Sequence, residues 1–518
     1  MFDSLNRKAL GAYGGTEIAT PNFDRFAARA QTFDQHYAGS LPCMPARRDL
    51  HTGRLNFMHR SWGPLEPFDN SFADILGKAG VQTRLTTDHL HYFEDGGSTY
   101  HGRFTGYDFI RGQEYDNCNG VVEPDIERYR KTYASQHYPF NDGQTPTGRA
   151  AVRIQHAINN DHILEEADYP GVKCFDAGLN FLESNKAADN WLLMLECFDP
   201  HEPFKAPERF KAPYRTGWNG GVLDWPLYAK DEGTEEERAE VRANYAALVA
   251  MCDAQFGRLL DWMDANDMWK DTALILSTDH GFLLSEHEWW GKNLQPYYQE
   301  ISHTPLMVHD PRAPERAGTR SHRLTQTHDL MPSILDLFGV TPPPEVQGTP
   351  VWSENKAREV AVFGMFGGPI GASDGNYTCY IYPEDLYGPG LHEYTLMPMH
   401  VSSMFEVAEM QTARLRPPFD FTKGMPVMQI DALMSAARIP MHDGERFQDT
   451  GTRIYNLASD PEENHPLRDD GIEERIFAAV SRVLQAHDAP DEIYTRYGLN
   501  PPARASHGGQ SSEMATPD

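Results

Sequence analysis

The run Trp191-Leu-Leu-Met-Leu-Glu-Cys197 is almost wholly apolar, has the length of one strand and ends in polar residues. A second short apolar run, residues 273–277, ends in the same way. Apolar runs of this length are typical of strands that are buried on both faces of a sheet. Between the two runs, residues 235–266 carry apolar side chains at helical spacing and predict one long helix. The order strand, helix, strand favours a doubly wound α/β layer, in which ligands bind at the carboxyl ends of the strands.

The composition is that of an acidic globular chain. Its 518 residues carry a formal net charge of −29, and this length predicts two or three structural units. Nucleic acids and anionic membranes are bound through Lys and Arg patches, which the sequence lacks, so we expect neither as a partner. An anionic substrate would need positive charge concentrated at one site by a metal ion, Arg, Lys or His.

The targeting features of the sequence predict a cytoplasmic protein. No basic and apolar signal peptide opens the chain, and no apolar stretch is long enough to cross a bilayer. The six cysteines are scattered without Cys-x-x-Cys spacing. This scatter favours a reducing compartment over a zinc site or a disulfide framework.

The sharpest motif is Cys43-Met-Pro-Ala-Arg47, which continues to Leu50-His-Thr-Gly-Arg54. The first five residues alone would indicate only a half-buried thiol near the start of a helix. With its continuation, the segment resembles the sulfatase signature, Cys-x-Pro-Ser/Ala-Arg followed by Leu-x-Thr-Gly-Arg. The resemblance implies that a maturation enzyme oxidises Cys43 to formylglycine, whose hydrated aldehyde attacks sulfur or phosphorus with one hydroxyl and expels the product with the other. It also implies that Arg47 orients this diol.

Two further segments extend the resemblance to a metal site and a substrate contact. Ser277-Thr-Asp-His-Gly281 places a carboxylate and an imidazole directly after the second apolar run, which suits a cation. It resembles the sulfatase metal motif Ser-Asp-His/Asn-Gly, which implies that Asp279 and His280 are metal ligands. Ser285-Glu-His-Glu-Trp-Trp-Gly-Lys292 resembles the family's Gly-Glu-His-x-x-x-x-Lys segment. Lys292 then corresponds to the lysine that contacts the sulfate.

The segment Phe198-Asp-Pro-His-Glu-Pro-Phe204 follows the first apolar run directly. A His between prolines is more often an ordinary loop residue than a catalyst. The segment nevertheless resembles the sulfatase element Pro-His-x-Pro-Phe, whose His reaches the leaving group, and so identifies His201 as a catalytic candidate.

The start of the chain, Phe2-Asp-Ser-Leu5, resembles the opening Asp-Asp of sulfatases and makes Asp3 a further metal ligand. Only two residues precede Asp3, so the apolar strand that should come before it is missing or stunted. The sequence leaves open whether the start is wrongly placed or the strand is short.

Several positions depart from the common arylsulfatase pattern. Ser4 replaces a second Asp, Ala46 replaces Ser, and His280 stands where Asn is frequent. The family's Lys-x-His element should fall near residues 83–91, where only Thr87-Asp-His-Leu-His91 is found. His89 and His91 are therefore weak substrate-binding candidates. The same departures resemble phosphonate monoester hydrolases, a sister group that shares the formylglycine.

The resemblance implies an alkaline-phosphatase-like α/β fold, with a large mixed β-sheet flanked by helices and a smaller C-terminal α+β subdomain. We predict a catalytic domain over residues 1–345 and the subdomain over 346–480, with an inserted arm near 383–442. Residues 481–518 are predicted to form a C-terminal helix and a disordered tail. Self-association through the Met- and Pro-rich arm stays open.

The favoured hypothesis is a sulfuric ester hydrolase. In it Asp3, the matured Cys43, Asp279 and His280 bind one Ca²⁺ or Mn²⁺ ion. Asp279 accepts the proton of the nucleophile, while Arg47, Lys292 and His201 act on the sulfate ester. One alternative is a phosphonate monoester or phosphodiester hydrolase with the same site. A second is a non-catalytic binding protein in which Cys43 stays a thiol.

Overall fold

The computed structural model describes residues 1–140, 148–354, 357–432, 441–442 and 445–502. Short 3-10 turns lie in several of the connections. The α-helices are α1 (Pro21–Ala27), α2 (Cys43–Thr52), α3 (Phe72–Lys78), α4 (Ile126–Thr132), α5 (Arg149–Asn160), α6 (Pro170–Asn185), α7 (Glu208–Lys211), α8 (Glu235–Ala265), α9 (Gln299–Ser302), α10 (Leu330–Leu337), α11 (Val407–Met410), α12 (Asp470–Ala486) and α13 (Asp491–Arg496).

The strands are short, and several have only two residues. They are β1 (Gln31–Tyr37), β2 (Gln82–Thr87), β3 (Gly106–Phe109), β4 (Trp191–Glu196), β5 (Ala229–Lys230), β6 (Leu274–Ser277), β7 (Leu283–Leu284), β8 (Trp289–Gly291), β9 (Leu306–His309), β10 (Arg320–Gln326), β11 (Ala361–Gly364), β12 (Ile370–Ser373), β13 (Tyr377–Ile381), β14 (His392–Thr395), β15 (Arg414–Arg416), β16 (Val427–Asp431), β17 (Met441–His442), β18 (Glu445–Arg446) and β19 (Arg453–Asn456).

The central layer consists of two sheets that meet at the start of the chain. One has the order β10-β1-β9-β6 and the other β3-β2-β4. Phe2 forms parallel bridges to Cys197, just past β4, and to Thr278, just past β6. Its N–H donates to the Ser277 carbonyl at 3.1 Å, and the Asp3 N–H donates to the Cys197 carbonyl at 3.0 Å. The first residues therefore fill a short central strand position, and the mixed sheet is the one expected.

The secondary structure around this layer confirms the predicted strand–helix–strand unit. The strands β4 and β6 coincide with the two apolar runs, and the predicted long helix is α8. A capping box starts α8, because the Thr234 side chain accepts from the Glu237 N–H and the Glu237 side chain accepts from the Thr234 N–H. The apolar face of α8 packs into the largest core cluster with the aromatic rings of Phe2, Phe23 and Phe256.

The C-terminal part forms its own layer. The antiparallel sheet β11-β12-β13-β19 packs against α12 and α13. Helix α12 begins at Asp470, ahead of the predicted boundary at 481. The predicted tail from residue 503 onward lies outside the described residues.

The predicted arm contains the small sheet β14-β16-β15, which packs back on the catalytic part. The Ser61 hydroxyl donates to Glu393 at 2.6 Å, and Arg60 forms a buried ion pair with the same carboxylate. The Gly96 N–H donates to the Val401 carbonyl at 2.7 Å. The arm therefore covers the loop that follows β2, and residues 433–440 and 443–444 of it lie outside the described part of the chain. Among the described helices, none combines the length and apolarity that crossing a bilayer requires.

Candidate active site

The carboxyl ends of neighbouring strands bring the predicted site residues together. Asp3 follows the short central strand, Asp279 and His280 follow β6, and His201 lies in the loop after β4. Cys43 is the first residue of α2, whose amino end carries a partial positive charge that favours an anion. These side chains are all buried.

The four predicted metal ligands form one cluster. The ligand atoms of Asp3, Cys43, Asp279 and His280 all lie within 4.8 Å of one another. The Cys43 Sγ is 3.2 Å from Nε2 of His280 and 3.8 Å from Oδ1 of Asp3. The Nδ1–H of His280 donates to the Gly281 carbonyl at 2.9 Å. This bond leaves the lone pair of Nε2 facing the cluster, as a metal ligand requires.

Arg47 is fully buried and holds the carboxylates of the cluster in place. It donates to Asp279 at 2.7 Å, to Asp3 at 2.9 Å and to Glu196 at 2.6 Å. Burial alone would raise the pKa of Asp3, but Arg47 and the neighbouring histidines outweigh it and hold that pKa well below its usual range. Three carboxylates around one guanidinium leave an excess of two negative charges, which matches a divalent cation.

The donor set also fits such a cation chemically. Asp3 and Asp279 offer carboxylate oxygens and His280 offers an imidazole nitrogen, while conversion of Cys43 to formylglycine replaces its sulfur by oxygen. Oxygen donors suit Ca²⁺, and the imidazole also admits Mn²⁺. The residues present therefore fit a divalent ion without distinguishing these two.

Lys292 is linked to Asp3 through the hydroxyl of Ser4. Its Nζ donates to the Ser4 hydroxyl at 3.0 Å, and that hydroxyl donates to Oδ1 of Asp3 at 2.8 Å. The Glu202 carboxylate is 3.8 Å from Nζ. Burial would lower the pKa of Lys292, but Cys43, Glu202 and Asp3 raise it above its usual value, so the ammonium stays charged. This is the local positive charge that the acidic chain needs for an anionic substrate.

The three candidate histidines differ in their surroundings. Nδ1 of His201 donates to the Glu202 carbonyl, so in the neutral ring Nε2 is an acceptor. Burial, and then the charge of Lys292, lowers the pKa of His201 well below its usual value. His89 is buried with Nε2 at 3.3 Å from Asp3 Oδ2, whereas Nδ1 of His91 contacts Glu94 at 2.7 Å. The structure therefore brings His89 into the cluster and leaves His91 outside it.

The surroundings of Cys43 do not favour a reactive thiolate. Burial, followed by the negative charge of Asp3, raises its pKa well above the usual value. Reactive cysteines instead have a lowered pKa, because the thiolate is the attacking form. The raised pKa therefore disfavours a thiolate nucleophile, although Nε2 of His280 lies 3.2 Å from the sulfur.

Sequence reasoning missed several residues that complete the site. Glu196 accepts from Arg47 and from the Tyr92 hydroxyl, the latter at 2.8 Å. Ser4 links Lys292 to Asp3, and Glu202 accepts from the Tyr228 hydroxyl. A usable signal existed for Glu196, because a carboxylate in an otherwise apolar buried strand needs a partner. Ser4 was noted only as a departure from a pattern.

Comparisons with known proteins agree with this geometry. A family model described as Sulfatase matches residues 1–340. The multifunctional alkaline phosphatase superfamily protein PehA of Trinickia caryophylli is 25% identical over 380 residues, which cover 64% of this chain and 70% of that protein. An N-acetylglucosamine-6-O-sulfatase of Bacteroides thetaiotaomicron is 23% identical over 385 residues, covering 67% and 68%. The solved phosphonate monoester hydrolase of Agrobacterium radiobacter shares the fold, with a TM-score of 0.60, 18% identity and coverage of 93% and 94%.

Proposed function

Because this chain belongs to the sulfatase family, we propose that it is a sulfuric ester hydrolase whose nucleophile is residue 43 in its formylglycine form. The proposal rests on one cluster of buried side chains. Asp3, Cys43, Asp279 and His280 lie together at the carboxyl ends of the strands. Arg47 contacts two of these ligands, and Lys292 reaches the same cluster through Ser4. A non-catalytic binding protein would not need this arrangement.

Two further groups complete the site: the formylglycine, which maturation makes from Cys43, and a divalent ion taken up from the medium. A divalent ion held by Asp3, residue 43, Asp279 and His280 would stabilise negative charge on the transferred group as a Lewis acid. The hydrated formylglycine supplies one hydroxyl that bonds to sulfur as the ester S–O bond breaks, and a second whose deprotonation releases sulfate and restores the aldehyde.

The charged side chains of the site have separate tasks. Each guanidinium nitrogen of Arg47 already contacts a carboxylate, so Arg47 acts chiefly by positioning Asp3 and Asp279. Lys292 keeps its charge, and within the described part of the chain its one close hydrogen-bond partner is the Ser4 hydroxyl, which leaves it able to bind a sulfate oxygen. Asp279, next to residue 43, accepts the proton of the attacking hydroxyl.

His201 serves the leaving alcohol, which needs a proton when the S–O bond breaks. Its Nδ1–H is held by the Glu202 carbonyl, so donation from Nε2 requires the imidazolium form. A bound sulfate ester brings negative charge beside the ring and favours that form. Aryl oxide leaving groups need this help least, because they are stable anions.

The second candidate is hydrolysis of phosphonate monoesters by the same residues. Ser4 favours it, because the hydroxyl that replaces a second carboxylate removes one negative charge beside Lys292 and Asp3. Sulfate esters and phosphonate monoesters each carry one negative charge, so the same less negative site can accept either.

The test compares catalytic efficiency on 4-nitrophenyl sulfate and on 4-nitrophenyl phenylphosphonate, using one preparation co-expressed with a formylglycine-generating enzyme. Mass spectrometry of the tryptic peptide spanning residues 30–47 reports whether residue 43 has become the aldehyde. The matched control is Cys43→Ala, which keeps the fold and removes the nucleophile.

We expect sulfate turnover that requires the aldehyde, is lost on chelation and returns with Ca²⁺ or Mn²⁺. Dominant phosphonate turnover would move the assignment to the second candidate. Converted protein that cleaves neither ester would overturn both and favour a binding protein.

A further inference from the structure

A second group of possible metal ligands lies outside the active site. The carboxylate of Asp88 and the thiols of Cys174 and Cys197 offer ligand atoms that all lie within 4.8 Å of one another. All three side chains are buried, and the group shares no residue with the metal cluster around Asp3. We call it the thiol–carboxylate cluster.

Three different elements bring the cluster together. Asp88 directly follows β2, Cys197 directly follows β4, and Cys174 lies on α6. The last residues of β2 and β4 lie opposite each other in a parallel pair, so Asp88 and Cys197 come next in the same register. Side chains of consecutive strand residues point to opposite faces. Glu196 contacts Arg47, so Cys197 points to the other face, towards α6, where the Cys174 thiol donates to the Glu196 carbonyl at 3.3 Å.

The Asp88 carboxylate is already oriented by hydrogen bonds. Its Oδ1 accepts from the Phe198 N–H at 2.7 Å, and its Oδ2 accepts from Nε2 of Gln113 at 3.0 Å. Each carboxylate oxygen can accept a second contact, so these bonds fix the direction of the group and leave it able to bind an ion. Carboxylates that bind metal ions are held by outer hydrogen bonds in the same way.

The carboxylates here are not matched by a side-chain cation. Nε2 of Gln113 also donates to Oδ1 of Asp199 at 3.0 Å, which places a second buried carboxylate beside Asp88. In the described part of the chain, neither carboxylate forms an ion pair with Lys, Arg or His. Buried charges are normally paired or bound to a metal ion, because an uncompensated charge is costly to bury. This pair therefore points to a cation independently of the thiols.

The donor types select a different kind of ion from the one expected in the active site. Thiolates favour Zn²⁺ and other soft ions, whereas the oxygen and nitrogen donors of the active site suit Ca²⁺ or Mn²⁺. Zn²⁺ takes four ligands in a tetrahedron, so two thiolates and one carboxylate leave one position for water or a further donor.

We propose that the thiol–carboxylate cluster binds one soft divalent cation of the Zn²⁺ type through Asp88, Cys174 and Cys197. Binding forms two metal–sulfur bonds and releases the two thiol protons to the solvent. The ion cross-links α6 to the ends of β2 and β4, just before the loops that carry His89 and His201. The spacing of the six cysteines disfavoured a zinc site, but these ligands come from separate elements, which local spacing does not reveal.

The test titrates Co²⁺ into chelator-treated full-length protein that carries Cys43→Ala. Co²⁺ substitutes for Zn²⁺, and thiolate ligands give it an intense charge-transfer absorption. Removing Cys43 leaves no thiol among the active-site donors, so a thiolate band cannot arise there. In this background, a double variant with Cys174→Ala and Cys197→Ala removes both sulfur ligands. Cys379→Ala is the matched control, because that buried cysteine lies in β13 of the C-terminal sheet.

We expect Co²⁺ to produce the thiolate band in the Cys43→Ala form and in the Cys379→Ala control, but not in the double variant. Added Zn²⁺ should abolish the band by displacing Co²⁺. Gln113→Leu removes a hydrogen bond that orients Asp88 and should weaken Co²⁺ binding by about 10- to 100-fold. This variant keeps both thiols, so it tests the site even if the double variant does not fold.

The absence of a thiolate band at saturating Co²⁺ would overturn the proposal. So would an equal band in the double variant, or an unchanged affinity after Gln113→Leu. Mass spectrometry after alkylation without reductant gives a further check, because a disulfide between Cys174 and Cys197 in the purified protein would also overturn it. The spectra do not depend on turnover, so the result is separate from whether the enzyme cleaves sulfate esters.

Discussion

The two ends of strands β4 and β6 differ sharply in packing. At their carboxyl ends, Glu196 and Asp279 are buried and both accept from Arg47. At their amino ends, the same strands border a cavity of about 730 Å³, which α6, α8 and α10 also line, and the leucines there are only partly buried. The carboxyl ends of the strands carry closely packed ion pairs, whereas their amino ends are apolar and incompletely packed.

The difference shows that directional contacts hold the chemical end of the sheet. The Phe2 N–H donates to the Ser277 carbonyl and the Asp3 N–H to the Cys197 carbonyl, so main-chain hydrogen bonds hold Asp3 between the two half-sheets. Salt bridges to Arg47 then hold the carboxylates of Asp3 and Asp279. The apolar end lacks such directional contacts, so its stability depends on how completely side chains fill the space.

The largest expected effect is at the charged end. Arg47→Met should lower kcat/KM by about 10³-fold or more and cost about 3–5 kcal/mol of unfolding free energy, because three buried carboxylates lose their cation. The matched control is Arg48→Met on the same helix, which removes the partner of Asp69. It should cost comparable stability but leave kcat/KM of the folded protein within a few fold. Similar activity losses in both would show that Arg47 is structural only.

A smaller loss of activity is expected when His201, the histidine assigned to the leaving group, is replaced. His201→Gln should lower kcat/KM about 10²-fold for an alkyl sulfate and much less for 4-nitrophenyl sulfate, since only the alkoxide needs a proton. The control is His91→Gln, which should change both substrates little because His91 contacts Glu94. Parallel losses on the two esters after His201→Gln would remove the leaving-group role.

The smallest expected effect is a difference in unfolding free energy between substitutions of two neighbouring leucines of α8, near the apolar end of the strands. Leu260 is enclosed in the core, whereas Leu259 lines the cavity between β4 and β6. Denaturant unfolding should give a loss of about 2–5 kcal/mol for Leu260→Ala and only about 1–2 kcal/mol for Leu259→Ala, because a side chain beside an existing void loses fewer contacts. Equal losses would mean that Leu259 is packed as tightly as Leu260 in solution.

Much of the site was predictable because its motifs lie directly after strands. Asp279 and His280 directly follow a strand, so they are expected to lie close to residues that follow the neighbouring strands. Asp3 and His201 are such residues. Glu196 and Ser4 were harder to identify. A lone Glu in a strand does not reveal its partner, and the role of Ser4 depends on Lys292, which lies 288 residues away.

The sequence by itself determined the family, the α/β class, the long helix α8 and the four candidate metal ligands, because local periodicity and contiguous motifs encode each of them. Only the tertiary structure decided that Arg47 contacts three carboxylates, that His89 rather than His91 contacts Asp3, and that a cavity borders β4 and β6. These features arise from contacts between residues far apart in the chain. Burial and strand order set such contacts, and no single segment of sequence contains that information.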